Sequence, residues 1–388
     1  MKPIEQSVQK KADSSVETVV QGNTEFALAL YQQLRTEEGN LFFSPYSISS
    51  ALAMTYAGAR GNTQVEMAQA LHFLLDEEQL HPAFALLQAR LHDIGRKGHV
   101  QMRVANALWP QQGYALLEEF LALTKQHYGV LVTAVDYGDA ETARGTINAW
   151  IEEKTENRIQ AMIPRGLLDA TVSLILVNAI YFKGNWASQF DQGLTSDAPF
   201  WVTPAEQVQV PMMSQTIEFR YREGDGLQVL ELPYAGDDLS MVVLLPREID
   251  GLAELEGRLT VENLGAWTTG LWPIEVQVFL PRFELSFPFR LDDALISMGM
   301  ADAFENADFS GMDGTQSLYI GAVLHKAFVA VNEEGTEAAA ATAALMKAMG
   351  VPLPPPTFRA DHPFVFLIRE NSTGSILFLG RVVNPAPG

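Results

Sequence analysis

Val331-Asn-Glu-Glu-Gly335-Thr-Glu-Ala-Ala-Ala340-Ala-Thr-Ala-Ala-Leu345-Met-Lys-Ala-Met349 is the stretch on which the reading of this chain turns, and it runs into Gly350-Val-Pro-Leu-Pro-Pro-Pro356. An alanine-rich run is the best helix former among natural residues, and Thr336 or Glu337 would start such a helix. The same residues also read as a strand. At period two the even positions are Thr336, Ala338, Ala340, Thr342, Ala344, Met346 and Ala348; none is charged, while Glu337 and Lys347 fall on the odd face. A strand of that parity can enter a sheet without burying charge. Gly335 stands at its start, where a hinge needs freedom in φ. No proline interrupts 335–351, so every amide can join a ladder. About fifteen residues at about 3.3 Å each span roughly 50 Å, long for an ordinary strand. Helix and long strand both remain open, and that double compatibility singles the segment out.

Outward from this segment the chain divides into two characters. Towards the C-terminus, residues 364–369 and 376–383 are apolar strands joined by Asn371-Ser372-Thr373-Gly374, a closing hairpin. Upstream, Ile274, Val276, Val278 and Leu280 alternate with Glu275 and Gln277, which is a half-buried strand. Residues 241–246 (MVVLLP) form a short buried strand, and 172–182 (VSLILVNAIYF) a continuous apolar run of a strand covered on both faces. The N-terminal third is mostly helical. From Asn23 the residues Phe26, Leu30 and Leu34 recur at helical spacing after a polar lead-in over 1–22. Ser44-Pro45 reads as cap and first-turn proline before Ile48 and Leu52. Thr63 and Glu66 read as a capping box, and amphipathic helices follow over 78–91, 117–127 and 146–159. Helices first and sheets afterwards give an α+β class. No repeat or linker divides 23–388, which reads as a single domain.

Composition narrows the function. With 47% hydrophobic and 19% charged residues in 388, and mean hydropathy of +0.03, the chain can build a large core. No apolar run reaches the roughly 20 residues of a membrane span, so no membrane partner is expected. The net charge of −21 repels phosphate backbones and anionic polysaccharides; neither nucleic acid nor heparin is an expected partner. The absence of cysteine removes disulfides, thiolate metal sites and cysteine nucleophiles. Residues 1–20 lack the apolar core of a secretory signal. The compartment stays open: cytoplasmic, or extracellular or periplasmic if a signal was removed.

Catalytic signatures are missing. There is no GxSxG elbow, P-loop or HExxH, and Gly224-Asp225-Gly226 lacks its third glycine and its helix. The seven histidines, at 72, 81, 92, 99, 127, 325 and 362, show no metal-ligand spacing. With 47 acids, any chosen carboxylate pair reads as solvated surface before it reads as an acid/base pair. The expectation is a protein that is not an enzyme and uses no cofactor or metal.

Glu333-Glu334-Gly335-Thr336-Glu337-Ala338-Ala339-Ala340-Ala341-Thr342 closely resembles the hinge of inhibitory serpins, and Leu324-His325-Lys326-Ala327 precedes it at that family's usual distance. Residues 40–48 (NLFFSPYSI), 176–186 (LVNAIYFKGNW), 210–213 (VPMM), 280–283 (LPRF) and the ending from His362 to Pro385 are similar to further serpin blocks. The resemblance runs from Asn23 to Pro385. It implies a fold of three β-sheets and about nine helices with an exposed reactive centre loop at about 333–356. It also implies a monomer that traps a serine protease as a suicide substrate. The protease attacks the loop and forms an acyl-enzyme; the cut loop then inserts into the main sheet before deacylation.

Carried over by position, Ser44, Ser47, Asn178 and His325 match the polar cluster that controls opening of the main sheet, and Trp186 the tryptophan where insertion begins. His325 also reads as a satisfied core histidine, and Trp186 as core packing. Counting fifteen residues with Gly335 as the first puts the scissile bond at Met349–Gly350. A flexible Met suits chymotrypsin-, elastase- or subtilisin-like proteases; Lys347, open to a trypsin-like enzyme, is the competitor. The proline-rich exit, 351–356, is longer than the family pattern and loosens that register by a residue or two. The alternative class is a non-inhibitory serpin, such as a carrier, chaperone or storage protein. Bulky, charged or proline hinge residues would mark it, and 336–344 has none apart from the outward-facing Glu337.

Overall fold

The computed structural model describes residues 3–130, 132–335 and 354–386, with side chains from residue 11 onward. The segment 336–353, which carries most of the expected hinge and the whole scissile region, lies outside the described residues.

Among the described residues the helices are α1 Pro3–Leu34, α2 Pro45–Tyr56, α3 Gly61–Ala70, α4 Glu77–Arg96, α5 Glu118–Tyr128, α6 Ala140–Lys154, α7 Leu252–Gly257, α8 Val261–Thr269, α9 Asp292–Ser297, α10 Asp302–Glu305 and α11 Ser310–Asp313. The strands are β1 Leu41–Phe43, β2 Val100–Pro110, β3 Leu174–Gly184, β4 Ser196–Thr203, β5 Glu206–Gly224, β6 Leu227–Pro233, β7 Leu239–Pro246, β8 Trp272–Pro281, β9 Phe283–Arg290, β10 Ala322–Val331, β11 Thr357–Arg359, β12 Phe364–Glu370 and β13 Ile376–Val382. The α+β class follows from this order.

Hydrogen bonding merges two of the three expected sheets. β5, 19 residues long, pairs with β4 at its start and with β6 at its end. One nine-stranded network results, in the order β1-β13-β12-β7-β6-β5-β8-β11 with β4 on β5. The second sheet is β2-β3-β10-β9. The closing hairpin of the sequence is β12–β13. β8 shows the expected alternation from Glu275 on, with Val276, Val278 and Leu280 buried and Glu275 and Gln277 exposed, whereas Ile274, expected on the buried face, is exposed.

β3 explains why residues 172–182 carry no polar face. Leu174, Leu176, Ile180 and Phe182 enter the large core, which also holds α1, α2 and the nine-stranded network. Ile175, Val177, Ala179 and Tyr181 enter a second cluster with Ala143, Ile147 and Ile151 of α6. A strand covered on both faces has no solvent side to mark with polar residues. All twelve residues of α2 are buried, so it runs through the core beneath this sheet.

Three expectations need correction. The helical start at Asn23 lies inside α1, which begins at Pro3; Val16, Val19 and Val20 are buried and extend the stripe of Phe26, Leu30 and Leu34 backwards. The polar residues between those valines are the solvent face of an amphipathic helix, which a frayed lead-in resembles. Thr63 is not a cap: α3 starts at Gly61 after Arg60, whose side chain makes no cap bond. Thr63 and Glu66 instead accept the backbone N–H groups of Asp308 and Asp302, orphan donors of a distant turn and of α10. β2 interrupts the helical N-terminal third; its outward polar residues and Arg103 blur the period-two signal.

Candidate functional site

β3 and β10 lie side by side in parallel, from Ala322 opposite Ile175 to Phe328 opposite Tyr181. Direct pairing leaves no room for a strand between them along those residues. The ladder then stops, although β3 continues to Gly184 and β10 to Val331. At that upper end the chain leaves β10 through a tight turn. Asn332 N–H donates to Gly335 O at 2.8 Å, and Gly335 N–H donates back to Asn332 O at 3.2 Å. The turn reverses the chain, so that Gly335 bridges antiparallel to Asn185 at the end of β3.

Gly335 is required there twice over. Its φ of +132° is one that L side chains rarely adopt, and a Cβ would fall 2.3 Å from Gly184 O and 2.5 Å from Trp186 N. Both clashing atoms are backbone, so nothing flexible can give way.

The turn is clamped from below. Trp186 Nε1 donates to Asn332 O at 3.0 Å, its backbone N–H donates to Glu334 O at 3.0 Å, and its ring stacks on Tyr234 at 4.7 Å. Trp186 is therefore core packing and holds the 332–335 turn at once. Phe190 N–H holds Glu333 O at 2.8 Å, and Gln189 Nε2 reaches Glu334 O at 3.3 Å. The Glu333 carboxylate is 2% exposed. It accepts from Arg282 Nε at 2.8 Å, from Arg282 Nη2 and from Thr195 Oγ1. Burial pushes this carboxyl up, but the Arg282 and Thr195 donors outweigh it and hold its pKa below the ordinary value. Arg282 and Thr195 were not singled out in the sequence; a buried acid demands a cation, but only the fold says which.

Ser44, Ser47, Asn178 and His325, far apart in sequence, meet under β3 and β10. Asn178 and His325 stand opposite each other in the ladder, and His325 Nδ1 donates to Asn178 Oδ1. His325 Nε2 accepts the Ser44 N–H at 3.1 Å, which fixes the neutral tautomer. Asn178 Nδ2 donates to Ser47 Oγ at 2.5 Å and to Asn106 Oδ1. Ser44 Oγ caps α2 at Ser47 N–H and donates to Leu377 O. Asn106, on β2 opposite Asn178, completes the network and was missed; an Asn in a strand gives no signal by itself. Burial pushes the His325 pKa down to about 3, a shift the Asn178 bond only partly opposes. His325 is a satisfied core histidine, and it also ties both central strands to α2.

The other end of the segment is fixed in the other sheet. β11 pairs in parallel with β8 at Gln277 to Phe279, and Gln277 N–H donates to Pro356 O at 2.9 Å. The architecture is that of an α+β protein carrying an 18-residue segment, 336–353, between a clamped turn on one sheet and a short strand on another. Among the described residues no group of acidic or histidine side chains is arranged to hold a metal ion.

Known proteins agree with this architecture. The model of the serpin (serine protease inhibitor) family matches residues 21–385. Human leukocyte elastase inhibitor is 44% identical over 384 residues, covering 95% of this chain and all of the relative. The Xenopus tropicalis leukocyte elastase inhibitor is 42% identical, covering 93% and 98%. Uncleaved ovalbumin superposes with a TM-score of 0.84 at 31% identity, covering 95% of this chain and 100% of that one. Serpin48 of the insect Tenebrio molitor gives 0.85 at 31% identity, covering 94% and 98%. The chain belongs to the serpin family; it is an inhibitor of serine proteases and not an enzyme.

Proposed function

We propose that this serpin inhibits elastase- and chymotrypsin-like serine proteases, with subtilisin-like enzymes as further targets, by inserting its cleaved loop between β3 and β10. The observation that carries the reading is the turn at 332–335. It points the chain back antiparallel to β10 at the place where the β3–β10 ladder has stopped. A strand continuing from Gly335 between them would be antiparallel to both, replacing one parallel ladder by two antiparallel ones. The uncharged parity of Thr336 to Ala348 suits that position, because charge on the buried face would be costly.

The scissile bond is assigned to Met349–Gly350, with Lys347 as competitor, and the elastase inhibitors among the relatives support the apolar choice. Ser44, Ser47, Asn178 and His325, with Asn106, are assigned the latch that must loosen for β3 and β10 to part, and Trp186 the anchor where insertion starts. The protein acts as a monomer without heparin, in keeping with its net charge of −21.

The test is incubation with elastase, chymotrypsin, subtilisin and trypsin, followed by denaturing electrophoresis. A denaturant-resistant complex with the first three, and an N-terminus at Gly350 on the released peptide, is expected. Cleavage without complex for every protease defeats the inhibitory reading. A complex formed with trypsin alone moves the bond to Lys347.

A further inference from the structure

β11, three residues long and at the edge of its network, roots the C-terminal end of segment 336–353. Pro356 O accepts from Gln277 N–H, and Ala360 N–H donates to Phe279 O, both at 2.9 Å. In a ladder of that parity residues 356, 358 and 360 face β8, and the backbone groups of Thr357 face away from it. Thr357 O is nevertheless met, because Gln228 Nε2 donates to it at 2.9 Å. A carbonyl only accepts, so the amide nitrogen of Gln228 must be the atom that stands there. β11 is thus gripped on both edges, by β8 on one and by a side chain of β6 on the other.

Gln228 is aimed by its own hairpin. Asp225 and Gly226, at φ of +56° and +78°, join β5 to β6 in a two-residue turn. The turn sets Glu223 opposite Gln228, with Tyr221 two residues before Glu223 and on the same face. Gln228 Nε2 also donates to Tyr221 Oη at 2.7 Å, Tyr221 Oη donates to Glu223 Oε2 at 3.0 Å, and Arg247 pairs with Glu223. The two amide hydrogens are therefore committed, one to a fixed hydroxyl and one to the carbonyl at the root of the loop.

The root limits what the uncut chain can do. Arg282, which holds Glu333 at the 332–335 turn, lies three residues beyond Phe279, the ladder partner of Arg359. Both ends of segment 336–353 are therefore fixed at the same end of the molecule. Residues 335–349 laid as a strand reach roughly 50 Å along the sheet. The seven residues 350–356 span at most about 25 Å on the way back. An uncut chain can insert fully only if β11 leaves β8, whereas a cut chain is free of that constraint. We propose that Gln228 is a positioning residue for the inhibitory reaction: from the free edge of β11 it holds the root in its ladder, so that the loop stays available until a protease cuts it. This inference rests on the inhibitory reading above. A ladder of three residues has few bonds to hold it, and the Gln228 bond, reaching over the outer edge, must break whenever β11 departs.

The test is incubation of the uncut wild type, Gln228→Met, Gln228→Lys and Tyr221→Phe just below the melting transition, with samples drawn for residual chymotrypsin inhibition and for melting of the uncut chain. Methionine keeps the length of Gln228 without a donor, and lysine restores a donor. Fresh Gln228→Met should match wild type in inhibitor-to-protease stoichiometry. It should then lose activity roughly three- to tenfold faster, the effect of one hydrogen bond, and turn into an uncut form that melts higher than the starting protein. Tyr221→Phe, which frees the amide from its hydroxyl, should fall between the two, and Gln228→Lys should stay within about twofold of wild type. Equal half-lives for wild type and Gln228→Met overturn the proposal. So does a product that melts lower or aggregates, or a Gln228→Lys that decays as fast as Gln228→Met, since either marks a merely structural role. A fresh wild type that forms no protease complex counts against the inhibitory reading instead, and the half-lives are then still read from the melting of the uncut chain.

Discussion

Acid should loosen the paired β3–β10 sheet through one residue, His325. Burial lowers its pKa from 6.5 to about 3, while both ring nitrogens are committed to Asn178 and Ser44. The unfolded chain takes up a proton near pH 6.5 and the folded chain only near 3. Between those values the unfolded state binds more protons, so stability rises with pH there. It is fully present above about 6.5 and is lost as the pH falls towards about 3. At about pH 5 the difference is about 1.5 pKa units, or about 2 kcal/mol at about 1.4 kcal/mol per unit. The assay is urea unfolding, followed by circular dichroism at about pH 7.5 and about pH 5, for wild type and His325→Gln. The glutamine amide can still donate and accept but does not titrate. His81, pushed down to about 4 by burial and then by His127, and Glu333 titrate in both proteins and drop out of the comparison. Wild type should lose about 2 kcal/mol more than the variant in the first unfolding transition. Equal losses would refute the idea that His325 is held neutral under the sheet.

Gly335→Ala puts a Cβ within 2.5 Å of two backbone atoms at a φ of +132°; the turn must move, costing at least about 2 kcal/mol. Melting temperature should fall and the inhibitor-to-protease stoichiometry should rise, and an unchanged melt would deny the close approach. Breaking the Arg282–Glu333 pair with Glu333→Gln should cost about 2–3 kcal/mol, and a double-mutant cycle with Arg282→Met should show most of that as coupling. A coupling near zero would make the pair incidental. Thr336→Arg should convert inhibitor into substrate, because the first even-face residue past the hinge would carry charge into the sheet; undiminished inhibition would argue against insertion. Cutting the loop should raise the melting temperature, and an unchanged melt would mean that no strand is added.

The family-like hinge and the cap at Ser44-Pro45 are legible because they are local. A glycine needed for φ, a first-turn proline and a hairpin turn each act on neighbouring residues. β3 was legible for a different reason: a strand buried on both faces leaves no polar positions to interrupt its apolar run. β2 and the first two-thirds of α1 escaped because their buried residues are interleaved with polar ones whose role depends on the partner surface. Thr63 and Glu66 show the same limit from the other side. Their spacing satisfies the capping pattern, yet each was spent on a backbone N–H more than 230 residues away.

By itself, then, the sequence settled the α+β class, the family and a 336–348 parity that keeps charge off one face, since composition and period are properties of the chain alone. The pairing of β3 with β10, the meeting of Asn106 with Ser47, Asn178 and His325, and the Arg282 partner of Glu333 were decided only in three dimensions. Each joins elements distant in sequence, and the free energy of burying a polar group depends on which donor or acceptor the fold delivers to it.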